Sequence, residues 1–296
     1  MDPGIDDAWA MATARSQCQV VGVSAVAGNV ELPHTYGNAE RLMEELDLDC
    51  PLLPGADHPI LGPLITAKAF HGPGGVGGWE GRTRVVSDDQ QRVWTYWAEK
   101  ESGLHDVHLV ATGPLTNLAI AYLAHPGLAR AFSSVTCMCG ALPGAQVDKA
   151  QEFNVYVDPH AADIVFHWAQ PVQLIGINVA HKALIPVRDV DRLTQYGAVG
   201  QSLHQMLAFY SQRSRGEGGN PTAFPIDDVV AVAAVAQPEL FQWREMPLAV
   251  VREGPLRGAV VISPIDIKRP PVKVAVDINV DGFRDWVWEA MEAYRA

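Results

Sequence analysis

The chain has 296 residues, of which 48% are hydrophobic and 19% charged, and this balance is typical of a folded globular protein and excludes intrinsic disorder. Its formal net charge of −12, without any cluster of lysines and arginines, excludes nucleic acid as the expected partner and favours a small neutral substrate. The N-terminus lacks a signal segment and no apolar stretch is long enough to span a bilayer, so we expect a cytoplasmic protein without a membrane partner.

Short apolar runs alternate with helical patterns over the first two thirds of the chain. Buried strands are predicted where short β-rich apolar runs end in a polar or Gly-rich turn, in residues 19–29, 107–113, 133–140 and 171–178. Helices are predicted where apolar residues recur at helical spacing, in residues 34–47, 88–101, 114–126 and 158–169. This alternation predicts an α/β fold with a Rossmann-like core, in which a mostly parallel central sheet carries helices on both faces.

The last third of the chain has a different pattern. Residues 246–263 and the first half of 272–295 resemble strands, and the second half of 272–295 has the spacing of an amphipathic helix. No linker rich in Ser, Gly or Pro divides the sequence. We therefore predict a single domain over residues 1–296, with a small β-rich C-terminal addition at about 246–280.

In open α/β sheets, ligands bind beyond the carboxyl ends of the strands. Four polar residues stand at such places in this sequence: Asn29, Thr112, Asn117 and Asn178. Two Gly-rich segments without periodicity, 71–81 and 214–225, are candidates for mobile loops over a site.

Two groups of carboxylates stand at the starts of predicted helices. Asp2, Asp6 and Asp7 surround a Pro-Gly bend, and Asp227 and Asp228 open an apolar helix far downstream. One aspartate at a helix start is explained as a cap, but three carboxylates this close repel one another. A hard dication such as Ca²⁺, which prefers carboxylate and backbone oxygens, accounts for the excess charge. Zinc is not expected, because the four cysteines form no CxxC pair.

Seven motifs make the sequence resemble the calcium-dependent nucleoside hydrolases, the inosine-uridine preferring nucleoside hydrolase family. The first, DPGIDDA (2–8), matches the family's N-terminal signature almost letter for letter. The other six follow in the family's order and at compatible separations: VAGN (26–29), HGPGG (71–75), ATGPLTNLA (111–119), EFNVYVDPHAA (152–162), GINVAHKAL (176–184) and IDD (226–228). The resemblance spans nearly the whole chain and implies hydrolysis of the N-glycosidic bond of ribonucleosides to ribose and free nucleobase.

The resemblance also implies a role for each matching residue. Asp2, Asp7 and Asp227 would bind Ca²⁺ through their carboxylates, and Thr112 would bind it through its backbone carbonyl. Asp2 would also be the general base that takes a proton from a Ca²⁺-bound water. The ribose hydroxyls would be held by four further side chains: Asp6, Asn29, Glu152 and Asn154. The family resemblance finally implies a homodimer or a homotetramer.

The sequence departs from the family pattern at several places. Relatives usually carry a short β-strand before the signature, whereas Met1 stands directly before Asp2, so the N-terminal strand is missing from the predicted fold. Ile226 stands where relatives often have a histidine that protonates the leaving nucleobase, and an isoleucine cannot donate a proton. Gln146 is a candidate for sugar binding, because it stands where many relatives have an asparagine that contacts the sugar.

Several residues are candidates for the contact with the nucleobase. His71 lies in the first Gly-rich segment, and Trp79 and Phe224 could stack on a base. An ordinary packing or loop role stays open for each of them. Three further candidates precede the second Gly-rich segment: His204, Tyr210 and Arg213.

Two other functions stay open. A nucleoside- or ribose-binding protein of the same fold, with little or no turnover, is favoured by Ile226 and by the missing first strand. A Mg²⁺ site of a phosphoryl-transfer enzyme is disfavoured, because there is no P-loop and no basic residue stands near the acidic motif. The sequence leaves the base preference undetermined.

Overall fold

A computed structural model describes residues 1–142, 151–169, 171–216, 222–263 and 269–295. The helices in these ranges are α1 (Ile5–Gln17), α2 (Leu32–Glu45), α3 (Lys68–His71), α4 (Val93–Glu99), α5 (Thr116–Ala124), α6 (Phe153–Val157), α7 (Pro159–Trp168), α8 (Ile177–Ala180), α9 (Gly197–Gly216), α10 (Asp227–Ala236) and α11 (Val280–Met291). The strands are β1 (Val23–Ala25), β2 (Leu52–Pro54), β3 (His108–Ala111), β4 (Ser134–Met138), β5 (Val172–Ile175), β6 (Ile185–Pro186), β7 (Ala223–Phe224), β8 (Phe241–Val250), β9 (Val260–Ile262) and β10 (Pro271–Ile278). Among these helices, none combines the length and the apolar character that crossing a membrane requires.

The central sheet has six strands in the order β3-β4-β5-β10-β8-β9. The first four of these are parallel neighbours, and β8 runs antiparallel to both β10 and β9. Strands β1 and β2 form a separate parallel pair, and β6 pairs with β7 in antiparallel fashion. The backbone of Met1 lies beside β1, where its amino group donates to the Ser24 carbonyl (3.0 Å) and its carbonyl accepts from the Val26 N–H (2.9 Å).

Helices cover both faces of the central sheet, because successive residues of a strand point in opposite directions. In β4, Val135 and Cys137 belong to an apolar cluster with α5 and α7, whereas Met138 belongs to a cluster with α1, α10 and α11. In β5, Leu174 and Ile175 divide between the same two clusters. The predicted α/β architecture with a mostly parallel sheet is confirmed.

The predicted strands of the first two thirds all form, but each is shorter than its apolar run, since the run continues into the turn that follows. The four predicted helices correspond to α2, α4, α5 and α7. In the C-terminal part, β10 pairs with β5, and β8 and β9 follow it in the same sheet. The β-rich segment thus continues the central sheet.

The first helix is anchored by the C-terminal end of the chain. Trp9 is fully buried and lies edge-on to Trp288 of α11, with ring centres 5.6 Å apart. The Tyr294 hydroxyl donates to the carbonyl of Ala12 (2.7 Å). These contacts fix the orientation of α1, whose first turn carries two of the acidic residues.

Candidate active site

A cavity of about 310 Å³ opens beyond the carboxyl ends of the central strands. Its polar wall consists of Asp6, Asn29, Thr112, Glu152, Asn154, Asp227 and Asp228. Its apolar wall includes Ile5, Phe70, Met138, Phe153, Leu207 and Pro225. Two imidazoles, those of His71 and His181, also line it, and no lysine or arginine does so in the described part of the chain.

Carboxylates from opposite ends of the chain converge in this cavity. Carboxylate oxygens of Asp6, Asp7 and Asp228 all lie within 4.8 Å of one another. The first turn of α1 supplies two of them, and the first turn of α10 supplies the third. Burial, and then the neighbouring carboxylates, raise the pKa of Asp6 to about 8 and the pKa of Asp228 well above its ordinary value. The cluster therefore carries an electrostatic strain that a cation would relieve.

Asp2 lies buried next to this cluster. Its Oδ2 accepts a hydrogen bond from the Asn29 N–H (2.7 Å), whereas its buried Oδ1 has no partner among the described residues. Gly113 leaves room for this oxygen, because a Cβ atom there would lie 2.5 Å from Oδ1. Burial and then Asp7 raise the pKa of Asp2, and the amino group of Met1 opposes this shift. One oxygen of Asp2 is thus fixed and the other is unpaired.

Asp7 is held by two donors from separate segments. Its Oδ2 accepts from the Gly4 N–H (2.9 Å), and its Oδ1 accepts from the Thr112 hydroxyl (2.6 Å). The Thr112 carbonyl, in turn, accepts from the Nδ2 of Asn154 (3.1 Å). These bonds join the start of α1 to the loop after β3 and to α6.

Glu152 and Asn154 are oriented mainly by the backbone. The Glu152 carboxylate caps α6, accepting from the N–H groups of Asn154 (2.7 Å), Val155 (3.1 Å) and Gly140 (2.8 Å). Burial nevertheless raises its pKa to about 7. The Asn154 Nδ2 donates to the carbonyls of Thr112 and Met138 (3.0 Å). Both side chains are therefore held in one position before any ligand arrives.

The two imidazoles differ in their surroundings. His71 is buried, its Nδ1 accepts from the Ile5 N–H (3.3 Å), and burial lowers its pKa to about 4. His181 is about half exposed, and its Nε2 lies 3.4 Å from the Oδ2 of Asp227, a contact that raises the pKa of His181. The Oδ1 of Asp227 is buried without a hydrogen-bond partner in the described structure.

The oxygens of this site fit a divalent cation. The buried Oδ1 of Asp2 has no partner, and the carboxylates beside it lie close together with no basic side chain in the described cavity lining. Carboxylate and carbonyl oxygens are the donors that hard dications prefer. Asp2, Asp7, Asp228 and the Thr112 carbonyl offer such a set.

Eight of the predicted site residues lie in or directly beneath the cavity: Asp2, Asp6, Asp7, Asn29, His71, Thr112, Glu152 and Asn154. Asp227 also lines the cavity, but the carboxylate that joins Asp6 and Asp7 is that of Asp228, which the motif match did not select. His181 was missed as well, although it lies within a quoted motif. Gln146 lies outside the described residues.

The other candidates for base contact lie elsewhere. Trp79 is buried in the main apolar cluster, with the Arg41 guanidinium 5.6 Å from its ring centre. His204 pairs with Asp191 (3.1 Å) outside the cavity lining. Ile226 is fully buried. The side chains of Tyr210, Arg213 and Phe224 lie outside the described part of the structure.

The fold is that of the nucleoside hydrolases. The chain superposes on a plant nucleoside hydrolase, the PpNRh1 enzyme, with a TM-score of 0.91 and 28% identity, over 99% of this chain and 97% of that one. The purine-preferring ribonucleoside hydrolase from Gardnerella vaginalis shares the fold, with a TM-score of 0.91 at 23% identity, over 100% of this chain and 97% of that one.

The chain belongs to the inosine-uridine preferring nucleoside hydrolase family, whose sequence model matches residues 1–285. The non-specific ribonucleoside hydrolase RihC of Klebsiella pneumoniae subsp. pneumoniae is 30% identical over 98% of this chain and 96% of its own. RihC of Salmonella enteritidis is 31% identical over 97% of this chain and 94% of its own. The family predicted from the motifs is confirmed.

Proposed function

We propose that this protein hydrolyses ribonucleosides with a Ca²⁺ ion held by the carboxylates of Asp2, Asp7 and Asp228 and by the backbone carbonyl of Thr112. Membership of the family makes the chain an N-ribosyl hydrolase, which cleaves the N-glycosidic bond of ribonucleosides. The observation that carries the metal proposal is the convergence of carboxylates from α1 and α10 within 4.8 Å. Asp7 is fully buried, whereas Asp6 is more exposed and lines the cavity, so we assign Asp6 to the substrate.

Asp2 is the proposed general base. When bound, Ca²⁺ would lower the pKa of water and anchor hydroxyl groups in one place. Because Asn29 fixes the Oδ2 of Asp2, the unpaired Oδ1 is free to accept the proton that the attacking water gives up. A side chain at position 113 would occupy the space beside this oxygen, because its Cβ would lie 2.5 Å from Oδ1.

The ribose is proposed to bind between Asp6, Asn29, Glu152 and Asn154. Carboxylate and amide groups suit hydroxyls, since each hydroxyl both donates and accepts. Negative charge on Asp6 and Glu152 would also stabilise the positive charge that develops on the sugar as the bond to the base breaks. A substrate without the 2′-hydroxyl leaves these buried groups unpaired, and such sites reject it by a large factor. The nucleobase is left with the apolar part of the cavity.

The proposal extends to the setting of the enzyme. The resemblance to the family supports a homodimer or a homotetramer and a cytoplasmic location. Light scattering of the purified protein measures the oligomeric state directly, and a monomer at micromolar concentration would contradict the proposed homodimer or homotetramer.

The test is an assay of ribose release. Purified protein is mixed with inosine, uridine, adenosine or cytidine, after chelation and again after Ca²⁺ is restored, with 2′-deoxyinosine as the control substrate. We expect release that is lost with the chelator, returns with Ca²⁺, and is much weaker for the deoxynucleoside. Release that the chelator leaves unchanged would refute the metal proposal. Binding of nucleosides without release would favour the second candidate, a binding protein of the same fold.

A further inference from the structure

The reaction has two chemical requirements, and different sides of the cavity must meet them. Water must be activated on the sugar side, which the acidic cluster serves, and the nucleobase must accept the electron pair of the broken bond on the other side. A nucleobase anion is a poor leaving group unless a donor neutralises it. The residue before Asp228, the assigned metal ligand, is Asp227, whose carboxylate faces His181. Ile226, directly before Asp227, is buried and carries no donor.

The cavity lining offers two imidazoles as donors, and their hydrogen bonds distinguish them. His71 is buried and uses its Nδ1 to accept from the backbone of Ile5 (3.3 Å), so it already has a structural partner at the start of α1. His181 is partly exposed to solvent and also lines the cavity, and its ring contacts the carboxylate of Asp227. A carboxylate that faces one ring nitrogen favours the imidazolium form, in which the other ring nitrogen also carries a hydrogen.

Asp227 links this imidazole to the acidic cluster. Asp227 is the first residue of α10 and directly precedes Asp228, whose carboxylate we assign to the metal. Its Oδ2 faces His181 at 3.4 Å, while its Oδ1 is buried without a partner among the described residues. An acceptor that is buried and unpaired inside a ligand cavity is costly unless a ligand donor meets it. Both members of the pair therefore present unused hydrogen-bonding capacity to the cavity.

We propose that His181, held by Asp227, is the catalytic residue that donates to the nucleobase as it leaves. The inference rests on the proposed function, and it names a residue that the motifs did not assign. The C1′–N bond breaks and its electron pair stays with the base. Water gives a hydroxyl group to C1′, and its remaining proton is taken by the acidic side of the cavity. The base gains one proton from the imidazolium, which recovers one from solvent, so the net reaction adds one water.

The experiment separates leaving-group chemistry from the rest of the reaction. The variant His181→Gln is compared with the native enzyme on inosine and uridine, and on p-nitrophenyl β-D-ribofuranoside, whose phenolate leaves without protonation. The matched control is His204→Gln, which removes a histidine that contacts an aspartate, Asp191 at 3.1 Å, outside the cavity. Asp227→Asn tests the positioning role.

We expect His181→Gln to lower kcat on both nucleosides by about 10²- to 10⁴-fold, the range for loss of a general acid, and to change kcat on the phenyl riboside by less than about tenfold. Asp227→Asn should shift the ratio of the two activities in the same direction, and His204→Gln should leave the ratio unchanged. Equal losses on both substrate types, or no loss on either, would overturn the assignment. If the native enzyme with Ca²⁺ cleaves none of these substrates, it is the proposed function that fails.

Discussion

The structure and the motif match assign the downstream metal ligand to different neighbours, and a pair of variants separates them. Asp228→Asn removes the charge that lies within 4.8 Å of Asp6 and Asp7. Asp227→Asn removes a charge of the same sign one residue earlier, on a side chain that faces His181 instead. Both substitutions keep the shape of the side chain, so each serves as the control for the other.

The magnitude follows from the charges. Two unit charges about 4 Å apart interact by about 4 kcal/mol at an effective dielectric constant of 20, so a dication gains about 8 kcal/mol from one carboxylate. The net binding free energy is smaller than this, because the pKa of Asp228 is raised and its carboxyl group must release a proton before it binds the ion. If half remains, about 4 kcal/mol corresponds to roughly a 10³-fold weaker affinity. For Asp227→Asn we expect a change below about tenfold, because a charge outside the cluster acts only through longer distances.

The assay is calorimetric titration of the chelated protein with Ca²⁺, supported by the dependence of ribose release on free Ca²⁺. Circular dichroism confirms that both variants are folded. The reasoning would be refuted if Asp227→Asn weakened the affinity as much as Asp228→Asn, and the ligand set implied by the motif would then stand.

Three further predictions concern stability and the space around the site. Saturating Ca²⁺ at about 100 times its Kd should stabilise the fold by about 2.7 kcal/mol and raise the Tm by roughly 4 °C in differential scanning fluorimetry; no shift would contradict a site in the folded state. Since burial raises the pKa of Glu152 from 4.5 to about 7, the folded chain holds more protons than the unfolded chain in that window and loses stability as the pH rises. The free energy of unfolding is measured in urea with a chelator present, for Glu152→Gln and for the native protein. From pH 4.5 to pH 8, the value for Glu152→Gln minus the value for the native protein should rise by at most about 3 kcal/mol. A difference that stays constant with pH would be evidence against this burial cost. Gly113→Ala should abolish Ca²⁺ binding, because its Cβ would lie 2.5 Å from the Oδ1 of Asp2, whereas Gly103→Ala, with no atom within 4 Å of its Cβ, should bind normally; equal affinity in the two variants would contradict the role of Gly113.

The sheet was predictable from the sequence where each strand is buried on both faces. Strand β4 is buried at every position, and its run over residues 135–138 is interrupted by a single polar residue, Thr136, which fits a central parallel strand. The position of β10 was not predictable, because its alternating pattern records only which side chains are buried. Its partner β5 lies about a hundred residues earlier in the chain, and no local pattern records that pairing.

The acidic cluster was predictable in part. The first turn of α1 brings Asp6 and Asp7 together in the sequence itself. The choice between Asp227 and Asp228 could not be made from the pattern, because α10 is buried on every side over residues 229–234. A helix that is apolar all round has no polar face, so its sequence gives no rotational phase. Adjacent residues on a helix point about 100° apart, and only the packing of α10 against α1 decides which carboxylate meets the others.

The two sides of the cavity also differ in how firmly hydrogen bonds to the backbone hold their side chains in place. On the side proposed to bind the sugar and the metal, backbone N–H groups fix Asp2, Asp7 and Glu152, so a substitution there should disturb the local fold as well as the proposed ligand contacts. On the side proposed to bind the nucleobase, His181 is about half exposed, and in the described structure its ring contacts the side chain of Asp227. A donor for the leaving base needs only to reach the base, so several elements that border the cavity can supply it. The absence of a histidine directly before the assigned metal ligand, Asp228, therefore does not establish that the enzyme lacks a donor; the side chains that border the proposed base-binding part of the cavity decide that question.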